Sequence, residues 1–372
     1  MVNYEALVKH LSVVDDKPFA LLSHQASPTD GILVNAFGTR LVSMLSPEHG
    51  WFGLAGPGEK TSFERHPFWD IPVHALYGEN RRPTPEMLAG AERIVIDLCD
   101  IGVRCYTYLA TMKLTLEAAA EMRLPVTVLD RPIPLGGILD GPLRDISFAS
   151  FVAPLNIPLC HGMTPGECAK FIDKTERLGL DLTVIKMKDW SHSSRSPWNN
   201  FIPPSPGIPA WDSAALYPLS VFTEAYPALD CDRGGPLSFR VLGAPWLDIP
   251  ALIDDFAEVL PACGVGLRPY RYCPANGRYK GQALNGLLLA VENEEAFYPV
   301  TAGVIMFAAI LQRHRQDLCV DARPEWFDRL FGSTAVRDAL STDSLSTLFG
   351  NWITDQDEYL QEKVNLYDKA AV

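Results

Sequence analysis

The sequence predicts an α/β protein: a Rossmann-like, doubly wound, mostly parallel sheet followed by a smaller α+β domain. Three observations carry this expectation. The chain has 372 residues, more than one ordinary domain and fewer than three at roughly 150 residues per domain. Its first half alternates short aliphatic or β-branched runs with helical patterns, as crossover helices winding a parallel sheet require. Those runs are nearly continuously apolar, the signature of strands buried on both faces.

Phe19 to Leu22 opens the sheet, followed by Leu41 to Leu45, Val73 to Leu76, Arg93 to Ile96, Val126 to Leu129 and Leu182 to Met187. Thr107 to Arg123 reads as a helix because Leu109, Met112, Leu116 and Ala120 recur at spacings of three and four. Thr164 opens another, with Pro165 in its first turn and Glu167 completing a capping box. The chain holds 30 prolines, ten of them between Pro197 and Pro250. Pro197, Pro203, Pro204, Pro206, Pro209 and Pro218 share a stretch with Trp198 and Trp211. Proline lacks an N–H and fixes φ, so this stretch is expected to be an ordered extended crossover, neither helix interior nor central strand. The domain boundary falls near Asp212, which gives domains 1–212 and 213–372. Beyond it the pattern predicts a strand at Ser238 to Leu242, a helix at Ile249 to Leu260, strands at Leu267 to Tyr272 and Leu284 to Val291, and a helix from Pro299 to about His314.

Composition narrows the function. At 47% hydrophobic and 21% charged residues, wholesale disorder is ruled out. Lys and Arg number 32 against 45 Asp and Glu, and the resulting charge of −13 argues against nucleic acid and anionic membranes as partners. The longest apolar run, Ala302 to Leu311, is far short of the ~20 residues that span a bilayer. Met1 to His10 carries Glu5 and no apolar core, so a cytoplasmic location is expected. The eight cysteines form no Cys-x-x-Cys pair and the histidines no His-x-x-x-His pair, so no metal is expected. Gly53 to Thr61 resembles a phosphate loop, but Glu59 precedes Lys60 and Pro57 has no N–H to give; no Gly-x-Gly-x-x-Gly follows a strand. No nucleotide or other cofactor is therefore expected.

In an open α/β sheet, ligands bind beyond the carboxyl ends of the strands. His24 and Gln25 follow the first predicted strand, and Glu48 and His49 the second. Asp97, Asp100, Arg104, Tyr106 and Tyr108 follow the fourth, and Asp130 and Arg131 the fifth. Carboxylates, arginines and tyrosines on one edge suit a polar, sugar-like ligand. Pro47 and Gly50 tie the turn that projects Glu48. Structural roles stand beside these: Asp97 and Asp100 can serve only to pair with Arg104 and Arg131, and His49 can be a structural histidine.

Collinear short motifs then suggest a family. Ser46-Pro47-Glu48-His49-Gly50, Pro83-Thr84-Pro85-Glu86-Met87, Asp100-x-Gly102-x-Arg104-x-Tyr106-Thr107-Tyr108, Leu129-Asp130-Arg131-Pro132, His161-Gly162-Met163-Thr164, Pro203-Pro204-Ser205-Pro206 and Gly243-Ala244-Pro245-Trp246 span nearly the whole chain. In that order they resemble the NamZ-type exo-β-N-acetylmuramidases. The resemblance implies a cleft between the two domains and hydrolysis that releases N-acetylmuramic acid from the non-reducing end of peptidoglycan fragments, a small muramic-acid-containing glycan being the partner. It casts Glu48 as the general acid, with Glu224 or Asp100 as base or nucleophile. Arg104 and Arg131 would pair with the lactyl carboxylate, Tyr106 or Tyr108 would meet the pyranose, and His24, Gln25, His49, Asp130 and Arg233 would complete the binding site. The sequence departs from the family pattern at Cys99, at Ile133 and across 222–235, where only Glu224 and Arg233 match. A non-hydrolytic amino-sugar or muropeptide binder on the same fold is the alternative.

Overall fold

The computed structural model describes residues 1–14, 17–61, 64–193 and 201–367. Helix α1 (Tyr4–Val14) leads into β1 (Phe19–Leu22), α2 (Thr29–Phe37), β2 (Leu41–Ser46), the two-residue β3 (Glu64–Arg65) and β4 (Pro72–Ala75). Then come β5 (Ile94–Ile96), α3 (Tyr108–Met122), β6 (Val126–Leu129), the short pair β7 (Leu139–Asp140) and β8 (Cys160–His161), α4 (Pro165–Thr175) and β9 (Leu182–Ile185). Six strands run parallel in the order β4-β2-β1-β5-β6-β9, with β3 antiparallel on the outer edge. Counted along the chain, the parallel strands lie in the order 3-2-1-4-5-6, a doubly wound sheet whose winding reverses between β1 and β5.

Alternation along each strand decides which core it feeds. Phe19, Leu21, Met44 and Val95 face Leu7, Leu11 and Leu33 of α1 and α2. Ala20, Leu22, Ile94, Ile96, Val126 and Val128 face the other way, against α3 and α4. The Thr164 side chain and Glu167 cap α4 reciprocally, which satisfies two of the N–H groups a helix start leaves open.

The second, smaller part of the chain carries α5 (Trp211–Ser220), β10 (Val241–Gly243), α6 (Ile249–Phe256), α7 (Val259–Ala262), β11 (Val265–Tyr272) and β12 (Leu284–Val291), then α8 (Pro299–Leu318), α9 (Pro324–Phe331), α10 (Ala335–Thr342) and α11 (Leu345–Glu362); α5 spans the expected boundary near Asp212. Its antiparallel sheet has the order β10-β12-β11. Phe222, Leu287, Phe307 and Phe327 of this domain belong to the same buried cluster as Ile96 and Val128 of the first, so one core runs through both.

Four expectations needed correction, each for a local reason. The predicted strand at Ser238 to Leu242 starts only at Val241, because Phe239 has a φ of +62° and cannot extend a ladder. The predicted helix at Ile249 to Leu260 is two helices, since Pro261 removes an N–H and crowds the Ala257 carbonyl four residues earlier. The helix from Pro299 continues to Leu318, with His314 as a non-helical kink. The proline-rich stretch is not helix-free: Pro218 lies inside α5. Its position near the end of that helix costs a single backbone bond, to Ala214, and nine of the ten α5 residues are buried, which offsets the loss. Pro197 and Trp198 lie outside the described residues.

The chain end returns to the first domain. The Tyr359 hydroxyl donates to the His161 carbonyl at 2.8 Å, the Leu366 N–H to Glu167 at 2.8 Å, and the Tyr367 hydroxyl to Asp130.

Helices α5 and α8 approach closely in the core. A Cβ on Gly303 would sit 2.2 Å from the Leu219 carbonyl oxygen. Gly303→Ala should therefore lower the unfolding free energy by about 1–3 kcal/mol in urea titrations. Gly350→Ala on α11, where a Cβ would meet nothing within 4 Å, should be neutral or slightly stabilising.

Candidate active site

The turn after β2 builds the first wall of the site. The Gly50 N–H donates to the Pro47 carbonyl at 3.2 Å, and His49 and Gly50 both take a φ of +76°. That conformation is uncommon for histidine. It is held by the ring, whose Nδ1 lies 2.9 Å from the Ala55 carbonyl oxygen; since a carbonyl only accepts, Nδ1 carries the proton. Glu48, only 7% exposed, is gripped from two sides. Oε1 accepts from the Gly58 N–H at 2.8 Å and Oε2 from the Thr107 hydroxyl at 2.7 Å. The glycine-rich Gly53 to Thr61 segment thus offers its N–H to a carboxylate of its own chain. Thr107 occupies the N-cap of α3, yet its hydroxyl makes no capping bond and goes to Glu48.

The opposite wall comes from the smaller domain. Glu224 ends the turn after α5, and burial holds its carboxyl above the usual range; the neighbouring Glu48 charge adds to that, while Arg233 and a Trp326 hydrogen bond pull the other way. Arg233 Nη2 lies 3.1 Å from Glu224 Oε1. Burial, then the Glu48 charge, likewise raises the Tyr77 phenol. Helix α9 completes the wall with Trp326 and Leu330, and Arg323 at its N-cap donates from Nη2 to the Glu224 carbonyl at 2.6 Å.

These groups enclose a cavity of about 290 Å³. Glu48, His49, Tyr106, Glu224 and Arg233 all line it, so five of the residues singled out from the sequence are brought together. Tyr77, Thr107, Tyr217, Arg323 and Trp326 line it too and were not singled out. Thr107 sat inside a motif, between two tyrosines. Arg323 and Trp326 carried no signal beyond an arginine before a helix-opening proline.

Seven other candidates are placed elsewhere. Arg104 is fully buried, its guanidinium donating to the carbonyls of Pro142, Ile157 and Phe331 at 2.9, 2.6 and 2.6 Å, so it cannot reach a substrate carboxylate. Arg131 pairs with Asp97 through two contacts of 2.5 and 2.7 Å. Asp130 accepts from the Gly166 N–H at 2.7 Å and the Thr164 hydroxyl at 2.8 Å, securing the start of α4. Tyr108 and Gln25 both donate to the Pro204 carbonyl, at 2.7 and 3.2 Å, and pin the proline-rich crossover. His24 Nε2 accepts from the Cys99 N–H at 2.9 Å, and burial pulls its pKa down to about 3, so the ring is neutral. Asp100 accepts from the Gly102 N–H at 2.7 Å and faces a separate cavity of about 730 Å³ beside Arg131. Asp230 and Asp232, near Arg233 in sequence, shape its loop: Asp230 accepts from the Asp232 N–H and the Tyr272 hydroxyl, each at 2.8 Å. Among the described residues no group of three or more His, Cys, Asp or Glu could hold a metal ion, and no helix is long and apolar enough to cross a membrane.

Two family models together match most of the chain: the N-terminal part of exo-beta-N-acetylmuramidase NamZ over residues 16–212 and its C-terminal part over 215–367. The chain belongs to the NamZ family. The peptidoglycan beta-N-acetylmuramidase NamZ of Bacillus subtilis (strain 168) is 34% identical over 340 residues, covering 89% of this chain and 76% of that protein. A DUF1343 family protein of Bacteroides fragilis NCTC 9343, solved as a crystal structure, superposes with a TM-score of 0.87 at 27% identity over 99% of this chain and 98% of its own. A second from the same organism, at 24% identity, covers 100% of this chain and 99% of its own with a TM-score of 0.75 and shares the fold. In this NamZ-family chain the two matched parts meet at the cavity, since Glu48 comes from one and Glu224 from the other.

The misplaced Asp100 yields a pH test. Burial pushes its carboxyl from 3.8 up to about 7, against N–H groups of Gly102 and Ile101 that pull it down. A folded-state pKa above the unfolded one means stability present at low pH and lost as pH rises through that interval. Relative to Asp100→Asn, the wild type should lose stability between about pH 4 and 7, with the difference constant above that. Urea unfolding of both proteins across this range checks it; a difference that ignores pH would remove burial as the cause.

Proposed function

We propose that this protein is an exo-acting glycoside hydrolase that releases N-acetylmuramic acid from the non-reducing end of peptidoglycan fragments, with Glu48 as proton donor. The observation that carries the proposal is the pairing of two carboxyl groups, Glu48 and Glu224, in the wall of one cavity of about 290 Å³. Glycoside hydrolysis needs two such groups, one protonating the leaving oxygen and one meeting the positive charge or the water at the anomeric carbon. Thr107 suits the acid role of Glu48, because a hydroxyl can donate to the carboxylate and accept from the carboxylic acid without moving. Arg233 favours the ionised form of Glu224, the form that faces developing positive charge. The name and the 34% identity of the Bacillus subtilis relative support the substrate.

The finer parts of the proposal are a Rossmann-like amino-terminal domain at 1–212, a second domain at 213–372, and a cytoplasmic location, which the eight free cysteines favour. Recovery of the native protein outside the cytosolic fraction would remove the last of these.

With a chromogenic β-N-acetylmuraminide and with MurNAc-GlcNAc, Glu48→Gln should release sugar about 100- to 10,000-fold more slowly than the wild type, with an unchanged circular dichroism spectrum. A variant as fast as the wild type would deny Glu48 the acid role.

A further inference from the structure

We infer that Arg323 is the specificity-determining residue of the cavity: its guanidinium takes the lactyl carboxylate that distinguishes N-acetylmuramic acid from N-acetylglucosamine. This rests on the proposed hydrolysis of muramic-acid-containing glycans and adds how the ring is chosen. The lactyl ether is an anion at neutral pH, so a site that prefers it needs a cation whose charge is not already matched. Arg104 and Arg131 are removed from contention by their buried partners. The cavity wall holds two arginines and no lysine. Arg233 is matched by Glu224 at 3.1 Å. Arg323 forms no ion pair within 4 Å among the described residues, the Glu224 charge acting on it only from further away, and it is exposed.

Arg323 is nevertheless held in place. Nη2 donates to the Glu224 carbonyl at 2.6 Å, and its own N–H donates to the Ala225 carbonyl at 2.8 Å. A guanidinium has five N–H donors in a planar fork, and one engaged at Nη2 leaves the others for a carboxylate in two-point contact. Both of its anchors are the residues of the Glu224 turn, so the fork and the second carboxyl group are fixed relative to one another. Trp326, one turn along α9, lines the same cavity wall and hydrogen-bonds Glu224. A substrate carboxylate bound by Arg323 would thereby set the pyranose against Glu224 as well as select it.

The test compares a chromogenic β-N-acetylmuraminide with the same compound carrying a neutral lactyl methylamide. The wild type should prefer the acid by about 10- to 100-fold in kcat/KM, mainly through KM, as expected for a hydrogen bond to a charged group. Arg323→Gln should turn over the two compounds within about threefold of each other, and Arg323→Lys should restore part of the preference, since a point charge replaces the fork. An undiminished preference in Arg323→Gln overturns the proposal. So does an Arg233→Gln variant that erases the preference while Arg323→Gln keeps it. If the wild type cleaves neither compound, the hydrolase proposal fails on its own. Calorimetry with free N-acetylmuramic acid and N-acetylglucosamine then decides the role of Arg323. Discrimination lost in Arg323→Gln supports it, and discrimination kept or absent from the wild type refutes it.

Discussion

The cleft depends on one buried cation. Arg104 leaves the first domain just before α3 and ends among carbonyls of three separate segments: Pro142, Ile157 and the last turn of α9. Burial lowers its pKa to about 10, which still leaves it charged at neutral pH. A buried guanidinium needs acceptors for its donors; the carbonyls supply them at Nη1 and Nη2, while Nε is left without one among the described residues. Gly332 shows how tight the arrangement is. It has a φ of +70°, and a Cβ there would lie 2.7 Å from Arg104 Nη2. Because α9 also carries Arg323 and Trp326, the same anchor that closes the interior fixes the position of the far wall of the cavity relative to Glu48.

The point where the sheet reverses winding, between β1 and β5, is where open α/β sheets usually bind ligands. Here polar groups largely bind one another. Ser23 donates to the Asp97 carbonyl, the Asp97 side chain accepts from Ser27, Thr29 and Arg131, and His24 accepts from the Cys99 N–H. The enclosed carboxyl pair has instead formed further out, at the end of β2, where the second domain can supply the opposing wall. The strand-end rule therefore leads to the edge of the sheet where this cavity lies, and only some of the residues it names line it.

That difference marks where the chain was legible. Strand identity was clear because apolar runs buried on both faces have no other stable use, and β1, β6 and β12 begin and end where their patterns do. Glu48 was clear because proline and glycine brace its turn. Arg104, Arg131 and Asp130 misled because a polar residue after a strand looks the same whether it meets a ligand or a buried carbonyl. The choice between them is made by groups far away in the chain, Phe331 for Arg104 and Tyr367 for Asp130. Arg323 and Trp326 were invisible for the converse reason: their place at the cavity comes from how α9 docks, and no local pattern encodes that.

The return of residues 359–367 to the first domain has a consequence for synthesis. Asp130 and Glu167, which secure the start of α4, draw part of their hydrogen bonding from Tyr367 and Leu366, which are synthesised long after them. The amino-terminal sheet can pair its strands early, yet its polar interior is completed only once translation has passed Tyr367. Premature termination before Leu366 would thus leave unsatisfied donors and acceptors far from the lost segment, giving quality-control proteases a target in a domain whose own codons are intact.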